Sequence, residues 1–269
     1  MMLRHGWRTG TVERLSEETK RQMKILILGG TAEARELANR LVEKGHDVTS
    51  SLAGRTSDPI LPEGAIRMGK FGGIPGLAAY MRAVGTQRLV DATHPYAGLI
   101  STNAAAAAQI TGIALIRHMR PAWEQQPGDD WLTLETVGEA AAALPANADV
   151  LLTTGHMGLE AFLERDDCQF VVRLIEPPAV ELPGHASLLL SRPPYDLTGE
   201  LRLMEREGIT HLVTKNSGGG QTAAKLEAAR RLGVKVIMIA RPVYGPALEV
   251  SSLDEAMVAI ETGAPPSMA

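Results

Sequence analysis

The chain has 269 residues, 45% hydrophobic and 22% charged, with a net charge of −4 and an isoelectric point near 6.0. That length holds one large or two modest α/β domains, and the acidic balance excludes a general nucleic-acid or membrane-surface binder, which needs a basic face. One cysteine, Cys168, excludes intrachain disulfides and multi-thiolate metal sites and suits a reducing cytoplasm, while 4% aromatics leave little for base stacking.

Residues 1–22 are polar, mixed in charge and lack the apolar stretch of a secretory signal, so they read as an extension outside the fold with a short helix at Ser16–Gln22. From Met23 onward, short apolar runs alternate with helix-period runs, the pattern of βα units and a parallel sheet. The first run, Ile25–Leu28, is followed by Gly29 and Gly30, which permit a tight turn and close backbone approach to a ligand. Thr31 then caps a helix over Thr31–Lys44, whose first turn holds Ala32, Glu33 and Ala34 and offers unpaired N–H groups to a phosphate. Only the turn glycines of a full G-x-G-x-x-G fingerprint are present, so a plain βα turn is the competing reading.

The second strand, Val48–Leu52, decides the cofactor, because an acid at its end would hold the ribose 2′-hydroxyl of NAD. Here the strand ends in Ser50 and Ser51, with Arg55 following, and no acid. A guanidinium suits a 2′-phosphate, which favours NADPH; an arginine solvated in a loop is the alternative. Strands over Ile66–Met68, Arg88–Ala92 and Ala114–Arg117 and helices over Ile74–Val84 and Ala97–Thr111 complete a five-stranded unit. Gly72 follows the third strand and Asp91-Ala92-Thr93-His94-Pro95-Tyr96-Ala97 the fourth, both at carboxyl ends where open α/β sheets bind ligands. Asp91 and Thr93 are read as cofactor contacts, His94 and Tyr96 as proton donors or substrate contacts, and Pro95 as the first residue of a helix.

The run PAWEQQPGDD, residues 121–130, marks a linker. Beyond it, strands are expected at Trp131–Glu135, Val150–Thr153, Phe170–Ile175, Ala186–Ser191, His211–Thr214 and Val234–Ala240. Helices are expected at Val137–Leu144, Gly158–Arg165, Leu197–Glu207, Thr222–Leu232 and Leu253–Glu261. The chain thus divides into 23–120, 121–263 and a flexible tail at 264–269. Segments 132–137 and 248–254 share a strand leading into an alanine-containing helix, a likeness too weak to count as a repeat. In the second unit, Thr154 and Gly155 form one strand-end turn and Lys215, Asn216, Ser217 and Gly218 another; the latter leads through a glycine run to Thr222, read as a helix cap. This is an anion receptor without the P-loop pattern, and no histidine pair has metal-ligand spacing.

Taken in order, ILILGGTAEARELA, SLAGRT, DATHPYA, TTGHMGLEAF and VTKNSGGGQTAAKLEAARRLGVKVIMIARP resemble the precorrin-6A reductase family of cobalamin biosynthesis, over about residues 23–262. The resemblance implies two Rossmann-like α/β domains, with mainly parallel sheets flanked by helices and a ligand cleft between them. It also implies NADPH as cofactor, no metal, and reduction of one double bond of a polycarboxylate tetrapyrrole, precorrin-6A or its cobalt form; the single cysteine suits a cytoplasmic enzyme, and the sequence leaves the oligomeric state open, a monomer being compatible with it. A non-catalytic NADP-binding sensor is the rival, but it needs no anion receptor in the second unit. A short-chain dehydrogenase would carry Tyr-x-x-x-Lys, whereas Tyr80 is followed by Val84 and Tyr96 by Ile100.

Overall fold

In the computed structural model, residues 22–54 and 60–263 are described. The expected N-terminal extension, apart from Gln22, lies outside the described residues, as do Arg55 and the tail. The first unit comprises β1 (Lys24–Leu28), α1 (Ala32–Glu43), β2 (Asp47–Leu52), β3 (Ala65–Met68), α2 (Gly73–Val84), β4 (Arg88–Asp91), α3 (Gly98–Thr111) and β5 (Ala114–His118). The second begins with β6 (Trp131–Leu134), α4 (Val137–Ala142), β7 (Asp149–Leu152), α5 (Leu159–Leu163) and β8 (Gln169–Leu174). It continues through β9 (Ala186–Leu190), α6 (Leu197–Arg206), β10 (His211–Lys215), α7 (Ala224–Leu232) and β11 (Lys235–Ile239), and the chain ends in β12 (Leu248–Val250) and α8 (Leu253–Thr262).

Two six-stranded sheets result, ordered β12-β5-β4-β1-β2-β3 and β6-β11-β10-β7-β8-β9, with every described pairing parallel. Both have the strand order of a dinucleotide-binding fold. Their sixth strands are exchanged: β6 leaves the first half to border β11, and β12 returns from the second half to border β5. The expected boundary at 121–263 is therefore corrected at its C-terminal end, since 248–262 belong to the first sheet. The two segments set aside as too weakly alike to be a repeat occupy equivalent places. Each is an edge strand running into a helix with a capping box, Thr136 with Glu139 in one and Ser252 with Glu255 in the other.

Alternation along β1 explains its continuous apolar run. Ile25 and Ile27 pack on the face covered by α1 and α8, Leu26 and Leu28 on the face covered by α2 and α3. Helix α1 supplies Ala34, Leu37, Ala38 and Leu41, an i, i+3, i+4, i+7 stripe that is entirely buried. Each of its leucines contributes about 1.5–3 kcal/mol by leaving water. The second sheet is covered in the same manner, by α4 and α5 on one side and α6 and α7 on the other.

The exchanged strand is pinned by charge as well as by its ladder. Asp91, Arg117 and Glu249 are neighbours in register across β4, β5 and β12. The Arg117 Nε lies 3.2 Å from Asp91 Oδ2 and its Nη1 3.1 Å from Glu249 Oε1, and Nη1 also donates to Gly245 O at 3.0 Å.

Candidate active site

The first strand-end turn is built on glycine. Gly29 N donates to Ser51 O at 3.0 Å, tying β1 to β2. Gly30 has φ +115° and open space where a side chain would stand, leaving bare backbone toward a ligand. Thr31 caps α1 as expected: its Oγ1 accepts from Ala34 N at 3.0 Å and donates to Ala92 O at 2.8 Å, fixing the turn to the end of β4. Ala32 opens the helix. Glu33 is engaged with Arg120 Nη1 at 2.9 Å. Burial works to raise its carboxyl pKa, but a hydrogen bond from its own backbone N–H and the Arg120 charge outweigh this and hold it below the ordinary range. Its carboxylate serves the tie to Arg120, and its backbone stays in the first turn of α1, the part of the residue expected to face a cofactor.

Ser51 lies buried at the end of β2, with Arg67 Nη1 3.5 Å from its Oγ. Gly72 adopts a left-handed conformation with φ +84° as the cap of α2, again with open space at its Cβ position. Asp91 is buried, and its carboxylate accepts from Thr93 N and Oγ1 and from Arg117. Asp91 and Thr93, both expected as cofactor contacts, bond each other and brace the strand end.

His94 Nδ1 accepts from Tyr96 N at 3.2 Å, which leaves its ring proton on Nε2. The ring keeps one side open to water, yet desolvation on the cleft side, followed by the charges of Arg120, Lys215 and Arg241, lowers its pKa to about 4. Neutral at physiological pH, it has an Nε2–H to offer a ligand. Tyr96 also departs from expectation. Its ring inserts into the core of the second unit, and its hydroxyl donates to Ile239 O and accepts from Asn216 N at 2.8 Å. Burial raises that hydroxyl's pKa to about 12. It is a staple between the units, with its one O–H already committed to Ile239 O. Pro95 precedes the helix instead of opening it, since α3 starts at Gly98.

On the facing side, Lys215 is buried, donates from Nζ to Thr154 O at 2.6 Å and stands 5.5 Å from the Tyr96 ring centroid. No carboxylate among the described residues forms an ion pair with it, and burial lowers its pKa. The neighbouring Thr154 Oγ1 is buried without a hydrogen-bond partner, and Gly155 leaves open space beside it. Asn216 is fully committed: its amide side chain bonds both Trp123 N and Trp123 O, and its carbonyl accepts from Arg241 Nε. It shapes the loop, where direct substrate contact was expected. Ser217 O accepts from Arg120 Nε at 2.7 Å. Gly218, at φ +68°, packs against Pro121 O and Arg241 Nη2 with no room for a methyl group. Thr222 does not cap α7, which begins after Ala223 without a side-chain cap.

Residues 24–261 match the model of a family described as precorrin-6x reductase CbiJ/CobK. The chain belongs to that family. The precorrin-6A reductase of Rhodococcus erythropolis is 49% identical over 228 residues, covering 84% of this chain and 92% of the relative. The cobalt-precorrin-6A reductase of Priestia megaterium is 30% identical over 252 residues, covering 88% and 97%. A solved structure of CobK precorrin-6A reductase superposes with a TM-score of 0.84 at 39% identity, over 91% of this chain and 99% of that one. Membership makes the chain an oxidoreductase of cobalamin biosynthesis. No helix among the described residues is long and apolar enough to cross a membrane.

For this precorrin-6x reductase family member, sequence reasoning missed two cleft arginines. Arg120 was taken only as the residue before the linker, yet it joins the Thr31 turn to the Ser217 loop through Glu33 and Ser217 O. Arg67 sits in a short strand and becomes visible only through its register with Ser51. Strand ends were the available signal, and β3 ends in both Arg67 and the Gly69 turn.

Proposed function

We propose that this chain uses NADPH to reduce one double bond of precorrin-6A, held in the cleft between its two sheets. The observation that carries this reading is the charge pattern of the cleft. A bare glycine turn and helix N-terminus face a buried lysine that has no carboxylate partner among the described residues, with Arg120 and Arg241 nearby. Such a site suits two anionic ligands, a pyrophosphate on one wall and a macrocycle with peripheral carboxylates on the other.

The residues present fit a dinucleotide. Gly30 and Gly72 leave open backbone, and Gly29 lies where an added Cβ would touch Ala34 and Leu52 at 3.5 Å. When bound, NADPH supplies the hydride. The Thr31 turn orients the phosphates, and Ser51 with Arg67 beside it takes the adenosine end. Lys215 and the unpaired Thr154 hydroxyl receive a substrate carboxylate, and His94 offers a neutral Nε2–H. With Tyr96 committed to backbone and His94 unprotonated, the balancing proton comes from water. Positioning, with the cofactor carrying the reactive chemistry, does most of the catalysis. The metal-free macrocycle is favoured over its cobalt form because the relatives named for the former are the more similar in sequence. The single cysteine fits action in the reducing cytoplasm.

The test is anaerobic NADPH oxidation with metal-free and cobalt substrates, followed by the pigment spectrum. Oxidation with the metal-free form first is expected. No oxidation with either, alongside tight NADPH binding, would replace the reductase reading with a non-catalytic NADP-binding sensor.

A further inference from the structure

We propose that Arg67 is a residue that selects NADPH over NADH, besides the Arg55 expected from sequence, by holding the 2′-phosphate with the outer edge of its guanidinium beside Ser51. The inference deepens the proposed cofactor use and rests on it. In parallel β2 and β3, Ser51 and Arg67 are register partners, so both side chains leave the same face at the carboxyl end of the sheet. That is where a dinucleotide fold reads the ribose.

The guanidinium is held in advance. Its Nη1 donates to Gly69 O at 2.6 Å and its Nη2 to Lys70 O at 2.9 Å, both from the loop between β3 and α2. Its plane is supported by Phe71, whose ring centroid lies 3.7 Å from Cζ, with Tyr80 at 5.3 Å. Among the described residues no carboxylate pairs with this cation, and Nε donates to none of them. Nε–H, together with the Nη2 proton not used by Lys70 O, forms a fork of the kind that receives a phosphate bidentately. The neighbouring Gly69, at φ +100°, has open space where a side chain would intrude. A brace for the loop would need only the two carbonyl contacts. It would not need a positive charge left uncompensated next to a serine hydroxyl.

The experiment measures binding by calorimetry, separately from turnover. Full-length wild type, Arg67→Ala, Arg67→Gln and Arg67→Lys are titrated with NADPH, NADH, adenosine 2′,5′-bisphosphate and 5′-AMP, and circular dichroism checks folding. Arg67→Ala and Arg67→Gln are expected to weaken NADPH and the bisphosphate by roughly 10- to 100-fold while leaving NADH and 5′-AMP within about threefold, with Arg67→Lys intermediate. Equal weakening of phosphorylated and unphosphorylated ligands would make Arg67 a loop brace and overturn the inference, as would an unchanged NADPH preference. If wild type itself shows no preference for NADPH, or binds neither dinucleotide, the cofactor reading fails and takes this inference with it.

Discussion

Replacing Arg117 by methionine tests how the exchanged strand is held. Arg117 is 1% exposed and Asp91 2%, whereas the Glu249 side chain is 58% exposed. Methionine keeps much of the volume but leaves Asp91 a buried carboxylate with only the Thr93 hydrogen bonds. Removing one partner of a buried pair costs about 3–5 kcal/mol. The lost Gly245 hydrogen bond adds about 1 kcal/mol, and the exposed Glu249 contact less than about 1 kcal/mol. A total near 4–6 kcal/mol is a large share of the ~5–15 kcal/mol typical of a folded domain. Urea unfolding of Arg117→Met should show this loss, and trypsin should gain access to the chain around β12. Adding Asp91→Asn to the same protein should recover most of the stability, because the amide removes the uncompensated charge. A loss below about 1 kcal/mol, or a double variant no more stable than the single one, would refute the argument.

Gly218→Ala should lose at least about 2 kcal/mol, since its φ of +68° and the nearby Pro121 O both oppose a methyl group; an unchanged melting curve would contradict this. Tyr96→Phe should destabilise by only about 1 kcal/mol, because Asn216 N still donates to Ile239 O at 3.0 Å once the hydroxyl is gone, while single-turnover reduction at saturating substrate stays near normal. A large loss in that step would restore Tyr96 as a catalytic group. His94 should titrate near pH 4 by NMR, against about 6.5 in the unfolded chain. Because the unfolded chain binds more protons between those values, this residue's contribution to stability is present above pH 6.5 and is lost as pH falls toward 4. A midpoint near 6.5 would show that neither desolvation nor the cleft cations act on it.

Much of the fold was legible because strands covered on both faces read as short apolar runs, as in KILIL and KVIMI. The exchange of β6 and β12 was not legible. Each segment announces a strand and a capped helix, but the choice of sheet is made by partners far along the chain, such as Arg117 for Glu249 at a separation of 132 residues. The strand-end motifs fall together at the carboxyl ends of the two sheets, since topology alone places those ends. What the sequence does not mark is the set of protein partners these residues take. Tyr96 and Asn216 looked free because their partners are mostly backbone groups, which carry no mark in the sequence, and Arg120 looked like the edge of a linker for the same reason.

The return of β12 also sets an order on how the protein can be made. During synthesis from the N-terminus, the first sheet has β5 as a bare edge, with Ile116 and Val90 lacking the cover of Val250, Met257 and Ile260, until the last residues leave the ribosome. Such an edge is a template for pairing with another chain. The first half therefore cannot mature ahead of the second, and a fragment ending at residue 120 is expected to aggregate rather than persist as a small dinucleotide-binding domain.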